Sequence, residues 1–416
     1  MISPDEQDVA DVIHGVDDFV RRVVVPLETK LEDVLADPRQ LFDERGAYSG
    51  PVREAKRAIR TASAEAGYYT MFAPAELGGG GLGHTAHYLV WEHIYRSYGP
   101  ARILTFDSVG HWATGPTTGL LGLQRQARDE VLPRVLSGEC TLCFAMSEPD
   151  AGSDVRAMRT TARRDGDRWV LNGTKQWITN SPIADYCLVF AVTDRDAITQ
   201  GRRGISCFLV PTDSPGFQVD SVIKMLGRTG GNEGIISFTD VEVPDTYRVG
   251  ELDDGLSIGM RGVGQGRMYN AGRAVGAAQW ALAKATAYAR ERKTFGQVIA
   301  DYQAIQFKLA ESAMKIYPAR CAALDCAARL DRGEDAATEL TIVKAVTTEV
   351  SLAVLDHAIQ VHGGMGMTSE VGLYQGWHMA RISLVSDGTA EIMRRNVARS
   401  VLRRGWLDAP SMTGAP

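Results

Sequence analysis

Three parts of the chain combine residue types and spacings that suit chemistry. The first is Ala145-Met146-Ser147-Glu148-Pro149-Asp150-Ala151-Gly152-Ser153-Asp154, which follows the apolar run from Cys140 to Ala145. It gathers hydroxyls, turn formers and backbone N–H groups, a donor set that suits an oxygen-rich ligand. A little further on, Trp177-Ile178-Thr179-Asn180 sets an aromatic face beside a hydroxyl at the end of a strand-like run, which suits a flat heteroaromatic ring. The second part is Gln360-Val361-His362-Gly363-Gly364-Met365-Gly366-Met367, at the end of a long helical pattern. One glycine caps a helix; several so close together let a ligand or another chain approach the backbone. The third is Asp387-Gly388-Thr389-Ala390-Glu391-Ile392, where Asp387 can cap the last helix or act as a general base.

Other motifs read more simply. Gly262-Val263-Gly264-Gln265-Gly266 is an incomplete dinucleotide fingerprint with no strand before it, and reads as a flexible helix start. Gly78 to Gly81 has no Lys-Ser/Thr tail, so it is a loop and no phosphate cradle. His84 and His87 lack a third metal ligand and read as surface histidines. Cys140 and Cys143 lie in a strand-like run with no second zinc-spaced pair, and read as buried thiols. Arg394, Arg395, Arg399, Arg403 and Arg404 give a basic C-terminal helix, a solvated face or a subunit contact.

The elements that must position these segments change character twice along the 416 residues. Up to about residue 135 apolar positions recur at helical spacing, as in Val9, Val12, Ile13, Val16, Phe19 and Val20. Residues 140–245 read as strands: Arg159 to Ala162, Asp167 to Leu171, Thr174 to Thr179, Tyr186 to Val192, Ile205 to Val210 and Ile235 to Val243. Hairpin turns are expected at Asp165-Gly166 and Asn172-Gly173. From about 255 the helical period returns in three stripes, starting at Val275, Ile305 and Val343, and suggests a bundle. The expected fold is therefore α+β and mostly α: an N-terminal helical domain (1–138), a central antiparallel β-barrel-like domain (139–250) and a C-terminal four-helix bundle (251–416). There is no βαβ alternation, so a Rossmann fold is not expected. A net charge of -6 argues against a generally basic nucleic-acid surface. No apolar run approaches the roughly 20 residues of a membrane span, and the acidic start is no secretory signal. Six sparse cysteines fit a reducing cytoplasm.

Taken together these segments resemble the acyl-CoA dehydrogenase family, over nearly the whole chain. Ala145 to Ala157 is similar to its first signature. Arg290 to Gly296 resembles its R-x-T-F-G element, with Tyr302-Gln303 following, and Gln360 to Gly366 resembles its Q-x-x-G-G-x-G element. The resemblance implies bound FAD, a homotetramer, an acyl-CoA substrate and electron-transfer flavoprotein as electron acceptor. It places Phe144, Met146 and Ser147 along the flavin ring, Ser153 near pantetheine or FAD, Trp177 against the isoalloxazine and the Thr179 hydroxyl near N5. Arg292, Thr294, Phe295, Gln303, Gln360, Gly363 and Gly364 would hold FAD diphosphate and adenosine across a subunit boundary. Thr389 would touch FAD, and Arg267 would lie near the acyl-CoA. The implied chemistry removes a Cα proton to a base and a Cβ hydride to flavin N5, giving a trans-2-enoyl-CoA.

The sequence departs from the family where the base should stand. The usual glutamate before Gly-Thr is Asp387, shorter by one methylene. The other place some members use, one residue before the matched arginine, is Gly266. Gln375 and Met379 replace an expected basic and an expected acidic residue. Two further readings stand beside the dehydrogenase: a nitroalkane-oxidase-like flavin oxidase with an aspartate base, and a non-catalytic family member.

Overall fold

The computed structural model describes residues 6–225 and 230–404. In chain order the principal elements are α1 (Glu6–Phe19), α2 (Gly50–Glu65), α3 (His84–Tyr98) and α4 (Arg125–Leu136). The strands follow: β1 (Leu142–Ala145), β2 (Thr161–Asp165), β3 (Arg168–Thr179), β4 (Tyr186–Val192), β5 (Ile205–Pro211), β6 (Phe217–Val222), β7 (Glu233–Pro244) and β8 (Arg248–Val249). Then come α5 (Gly255–Glu291), the small hairpin β9 (Lys293–Thr294) and β10 (Gln297–Val298), α6 (Gln303–Asp331), α7 (Ala337–His362), α8 (Leu373–Ser383) and α9 (Ala390–Arg404). The helical, sheet and helical succession is the one expected from the sequence.

Two compact units divide the chain, one chiefly Ala10–Leu82 with Leu104–Gly266, the other chiefly Gly83–Ile103 with the residues from Arg267 onward. In the first, one sheet runs β6-β7-β3-β2-β4-β5-β8, and β1 joins it in parallel beside β4. All seven residues of β4 are buried, so both faces of this strand are covered. One face packs Trp169, Leu171, Val189, Phe208, Ile236 and Val241. The other packs Leu142, Leu188, Phe190 and Leu209 against Ala127, Val131 and Val135 of α4.

In the second unit α5 buries Val275, Ala278, Ala281, Ala285 and Ala289 against Val354, Leu355 and Ala358 of α7. This is a small-residue stripe that lets helix axes approach closely. On α6 the expected stripe Ile305, Leu309, Ala313 and Ile316 fails at one position: Ala313 is exposed, while Ile316 is buried and Ile305 and Leu309 pack against the same core. Among the described residues no helix is long and apolar enough to cross a membrane.

Three sequence expectations change, and two elements are new. Asn172-Gly173 is no turn; β3 runs through it, because β7 bulges opposite. Asp240 takes φ 48° there, and the Asn172 amide exchanges two hydrogen bonds of 2.9 Å with it, one from Nδ2 to the carboxylate and one from the Asp240 N–H. His87 is buried, accepts from Trp91 Nε1 at 3.2 Å, and burial pushes its pKa down to about 3. The glycines from 259 to 266 lie inside α5, whose start is Gly255. Strand β6 and a short helix at Arg195–Thr199 were unforeseen. Cys140 and Cys143 are buried free thiols, as read.

Candidate active site

The first unit carries one group of candidate residues. β1 delivers Phe144, whose ring meets Trp112 edge-on at 5.3 Å and Phe190 at 4.8 Å. Met146 is buried, Ser147 half-buried and Ser153 exposed. The loop between them is pinned from inside. Lys175 on β3, fully buried, donates from Nζ to Glu148 at 2.8 Å and to the Met146 carbonyl at 3.1 Å. Glu148 also accepts from the N–H groups of Arg159 (2.5 Å) and Thr160 (3.0 Å). Burial alone would raise the Glu148 carboxyl, but the Lys175 charge and these donors hold it below the usual range. Burial pushes the Lys175 ammonium down. The sequence did not single out this pair, because β3 is polar around Lys175, with Asn172, Thr174 and Gln176 beside it.

At the end of β3 a second bulge sits between Lys175 and Ile178, so Gln176 and Trp177 oppose a single residue of β7. A bulge re-aims a side chain. Trp177 takes φ 65° and its indole is 54% exposed, next to a half-buried Thr179. An indole held out of a core by a strained backbone is poised for a flat ligand. Asn180 locks the strand end by donating from Nδ2 to the Leu142 carbonyl at 2.8 Å.

Gly266 offers no room for a base. A Cβ there would lie 2.5 Å from Trp112 Cε2, and one at Gly259 would lie 2.3 Å from Met146 Cε. These glycines exist for packing. Gly266→Glu is expected to cost about 1–3 kcal/mol by overpacking, read as a lower midpoint in thermal or urea denaturation.

The second unit gathers the other group. Asp387 is half-buried with φ 54°, and Gly388 follows at φ 96°. Aspartate tolerates this left-handed region better than most residues. A Cβ at Gly388 would meet Met393 Cε at 2.5 Å and Arg267 Nη2 at 3.8 Å, so the Arg267 guanidinium lies close to this backbone. Asn270 of α5 donates from Nδ2 to Asp387 Oδ2 at 2.6 Å. Lys344 of α7, fully buried, donates to the Gly388 carbonyl at 2.6 Å. Arg273 donates to Ser383 Oγ at 2.6 Å and stands over the Tyr269 ring. Among the described residues neither Arg267, Arg273 nor Lys344 has a carboxylate within 4.0 Å. Asp387 is therefore bonded to a neutral amide within a cationic field. Its burial raises its pKa, and the Asn270 bond and the three cations only partly offset that. Burial lowers Lys344 to about 8. Thr389, not Asp387, caps α9, its Oγ1 accepting from the Ile392 N–H at 3.2 Å; Asp387 is left free for other work. Asn270 and Lys344 were not foreseen. The clue was polar residues recurring at helical spacing, Arg267, Asn270 and Arg273 on α5 and Thr341, Lys344, Thr348 and Ser351 on α7.

The remaining candidates of this unit lie at its surface. Phe295 and Gly296 form the two-residue turn of the β9–β10 hairpin, with φ 48° and 86°. Both positive angles define the tight hairpin turn that normally takes Asn-Gly. Phe295 is nonetheless 99% exposed. Arg292, Gln303 and Gln360 are exposed, and Thr294 is half-buried. Gly363 (φ 61°) ends α7, and neither it nor Gly364 has an atom within 4 Å of a would-be Cβ. Gly366 differs: Ile359 carbonyl oxygen lies 2.7 Å from its would-be Cβ, so it serves packing. Open glycines leave backbone accessible, the exposed guanidinium is a type that pairs with anions, and the exposed Phe295 offers an aromatic face.

The fold and these groups define a mixed helix-and-sheet protein with an exposed indole at a strand end, an open glycine backbone at a helix end and a half-buried carboxylate bonded to an amide. The chain matches the acyl-CoA dehydrogenase N-terminal domain over residues 6–139, the middle domain over 143–241 and the C-terminal domain over 253–402. It is 37% identical over 337 residues to the mitochondrial short-chain specific acyl-CoA dehydrogenase of Homo sapiens, covering 81% of this chain and 80% of that one. It is 33% identical over 341 residues to the caffeyl-CoA reductase-Etf complex subunit CarC of Acetobacterium woodii, covering 82% and 88%. Butyryl-CoA dehydrogenase from Megasphaera elsdenii superposes with a TM-score of 0.80 at 26% identity, over 97% of this chain and 100% of the other. The chain belongs to the acyl-CoA dehydrogenase family, whose members are FAD-dependent oxidoreductases.

Proposed function

We propose that this enzyme desaturates an acyl-CoA thioester between Cα and Cβ, with Asp387 as the base that takes the Cα proton. The observation that carries this reading is the half-buried Asp387 carboxylate, hydrogen-bonded to Asn270 and, among the described residues, without a salt bridge. FAD, when bound, supplies the acceptor for the hydride that leaves Cβ. The exposed Trp177 indole and the open Gly363-Gly364 backbone fit that group: one offers a face to its ring, the other room for its diphosphate. Phe144, Met146, Ser147, Ser153 and Thr179 would line the ring side. Arg292, Thr294, Phe295, Gln303, Gln360 and Thr389 would hold the remainder, and Arg267 would face the acyl-CoA.

As the Cα proton passes to Asp387, negative charge grows on the thioester, and the cations Arg267, Arg273 and Lys344 supply a field that favours it. Asn270 keeps the carboxylate aimed while Lys344 fixes the Gly388 carbonyl, so the short aspartate starts from one geometry. The domain scheme is 1–138, 139–250 and 251–416. Electron-transfer flavoprotein is the proposed electron acceptor, in line with the Etf complex named for the CarC relative. The test is an anaerobic titration with a panel of acyl-CoAs. Loss of the flavin's visible absorbance with at least one thioester supports desaturation, and no bleaching with any of them overturns it.

We also propose a homotetramer. Phe295 on its strained turn, with the exposed Phe307, Met314 and Tyr317 of α6, leaves an apolar surface that an identical subunit would cover. Light scattering of the FAD-loaded protein is expected to give a tetramer mass, and Phe295→Ala to weaken both assembly and FAD retention. A wild-type monomer that retains FAD would contradict this.

A further inference from the structure

The amide of Asn270 is fixed by its partner. Facing a carboxylate, it must present Nδ2, and it does so at 2.6 Å from Asp387 Oδ2. Oδ1 is then left over. The residue is 1% exposed, and this oxygen is buried with no hydrogen-bond partner. One helical turn before it, on the same face of α5, the Nε of Arg267 is a buried donor that also has no partner. A buried acceptor and a buried donor left unmatched beside the base are costly as they stand.

We propose, resting on the desaturase reading above, that the acyl group of the true substrate carries a hydroxyl close to the reacting carbons, which donates to Asn270 Oδ1 and accepts from Arg267 Nε. The chemistry selects this group. A plain alkyl chain satisfies neither atom. A carboxylate would suit Arg267 but has no proton for Oδ1. A hydroxyl supplies both, being donor and acceptor at once. Its position follows from the base and the reaction: Asn270 is bonded to the carboxylate that takes the Cα proton, so the hydroxyl lies close to Cα and Cβ, and Cγ and Cδ are the nearest carbons that desaturation leaves untouched. A site built to bond a substrate hydroxyl rejects the analogue that lacks it, because its own polar groups are then left unpaired.

The test compares ligands that cannot turn over. Calorimetry on the FAD-loaded protein measures binding of trans-2-enoyl-CoAs and of their γ- and δ-hydroxy counterparts at matched chain lengths. A preference of about tenfold to a hundredfold for a hydroxylated ligand is expected. Asn270→Leu keeps the shape and removes the acceptor; it should bring the two affinities together, since any effect through Asp387 acts on both ligands alike. Asn270→Ser serves where the leucine variant does not fold, and should reduce the preference. Equal binding by the wild type would mean that solvent meets the orphan atoms, and would overturn the proposal. So would an unchanged preference in Asn270→Leu, or stronger binding of a ligand with a carboxylate in place of the hydroxyl. Flavin bleaching is read separately: its absence with every acyl-CoA sinks the desaturase reading, while bleaching together with equal binding sinks only the hydroxyl.

Discussion

Asp387→Asn is expected to bind FAD and acyl-CoA as the wild type does and to lower the rate of flavin reduction by about 10²–10⁴-fold, the usual contribution of a general base. Asparagine nearly preserves volume, and its Oδ1 can still accept from Asn270 Nδ2, so the pocket survives while the proton acceptor is lost. Stopped-flow reduction under anaerobic conditions checks it; an unchanged rate would place the base elsewhere. The wild-type pH profile follows from the same geometry. Burial raises the Asp387 pKa, and only the ionised form accepts a proton. Reduction should therefore speed up with rising pH through a value above the ordinary carboxylate range. Folding stability runs the other way. A carboxyl whose folded pKa is raised binds its proton more tightly in the native state, so its contribution falls as pH climbs from the ordinary value through the raised one. Asp387→Glu separates two pockets: one merely unadapted, where the longer side chain speeds reduction, and one reshaped around aspartate, where it slows it.

The largest effect on stability is expected at Lys175. Lys175→Met leaves Glu148 as a buried carboxylate that keeps two backbone donors and loses its counter-charge. Breaking a buried pair from one side typically costs about 3–5 kcal/mol. Urea denaturation should show that loss, and the double variant Lys175→Met with Glu148→Gln should recover part of it. The single variant should regain stability as pH falls, because Glu148, now raised by burial, takes up a proton in the folded state. A single variant as stable as the wild type would show that the pair does not hold the loop.

Periodicity and turn chemistry made much of this legible before any coordinates. Of the α5 stripe Val275, Ala278, Leu282, Ala285 and Ala289, all but the half-buried Leu282 are buried as the spacing requires, and Trp177 stood out for the aromatic face it sets beside the Thr179 hydroxyl. What was hidden depends on partners distant in sequence. Asn172-Gly173 has the chemistry of a turn, yet Asp240, sixty-eight residues away, bonds the Asn172 amide and keeps the strand running. Asn270 and Lys344 gain meaning only when α5, α7 and the segment before α9 meet at Asp387–Gly388. Local pattern cannot reveal such meetings, because nothing in the period of one helix specifies what another brings to it.

Trp112, packed where a side chain at Gly266 would have to go, bears on how such an enzyme can diverge. The resemblance offers two positions for the carboxylate, 387 and 266, and exchanging one for the other looks like a matter of two point mutations. Here the route is barred at its first step. Any residue larger than glycine at 266 collides with the indole, so Trp112 must shrink before the new carboxylate can enter. Shrinking it also removes the edge-on partner of Phe144. Each intermediate along that path carries a packing cost, and that cost keeps the proposed base at Asp387.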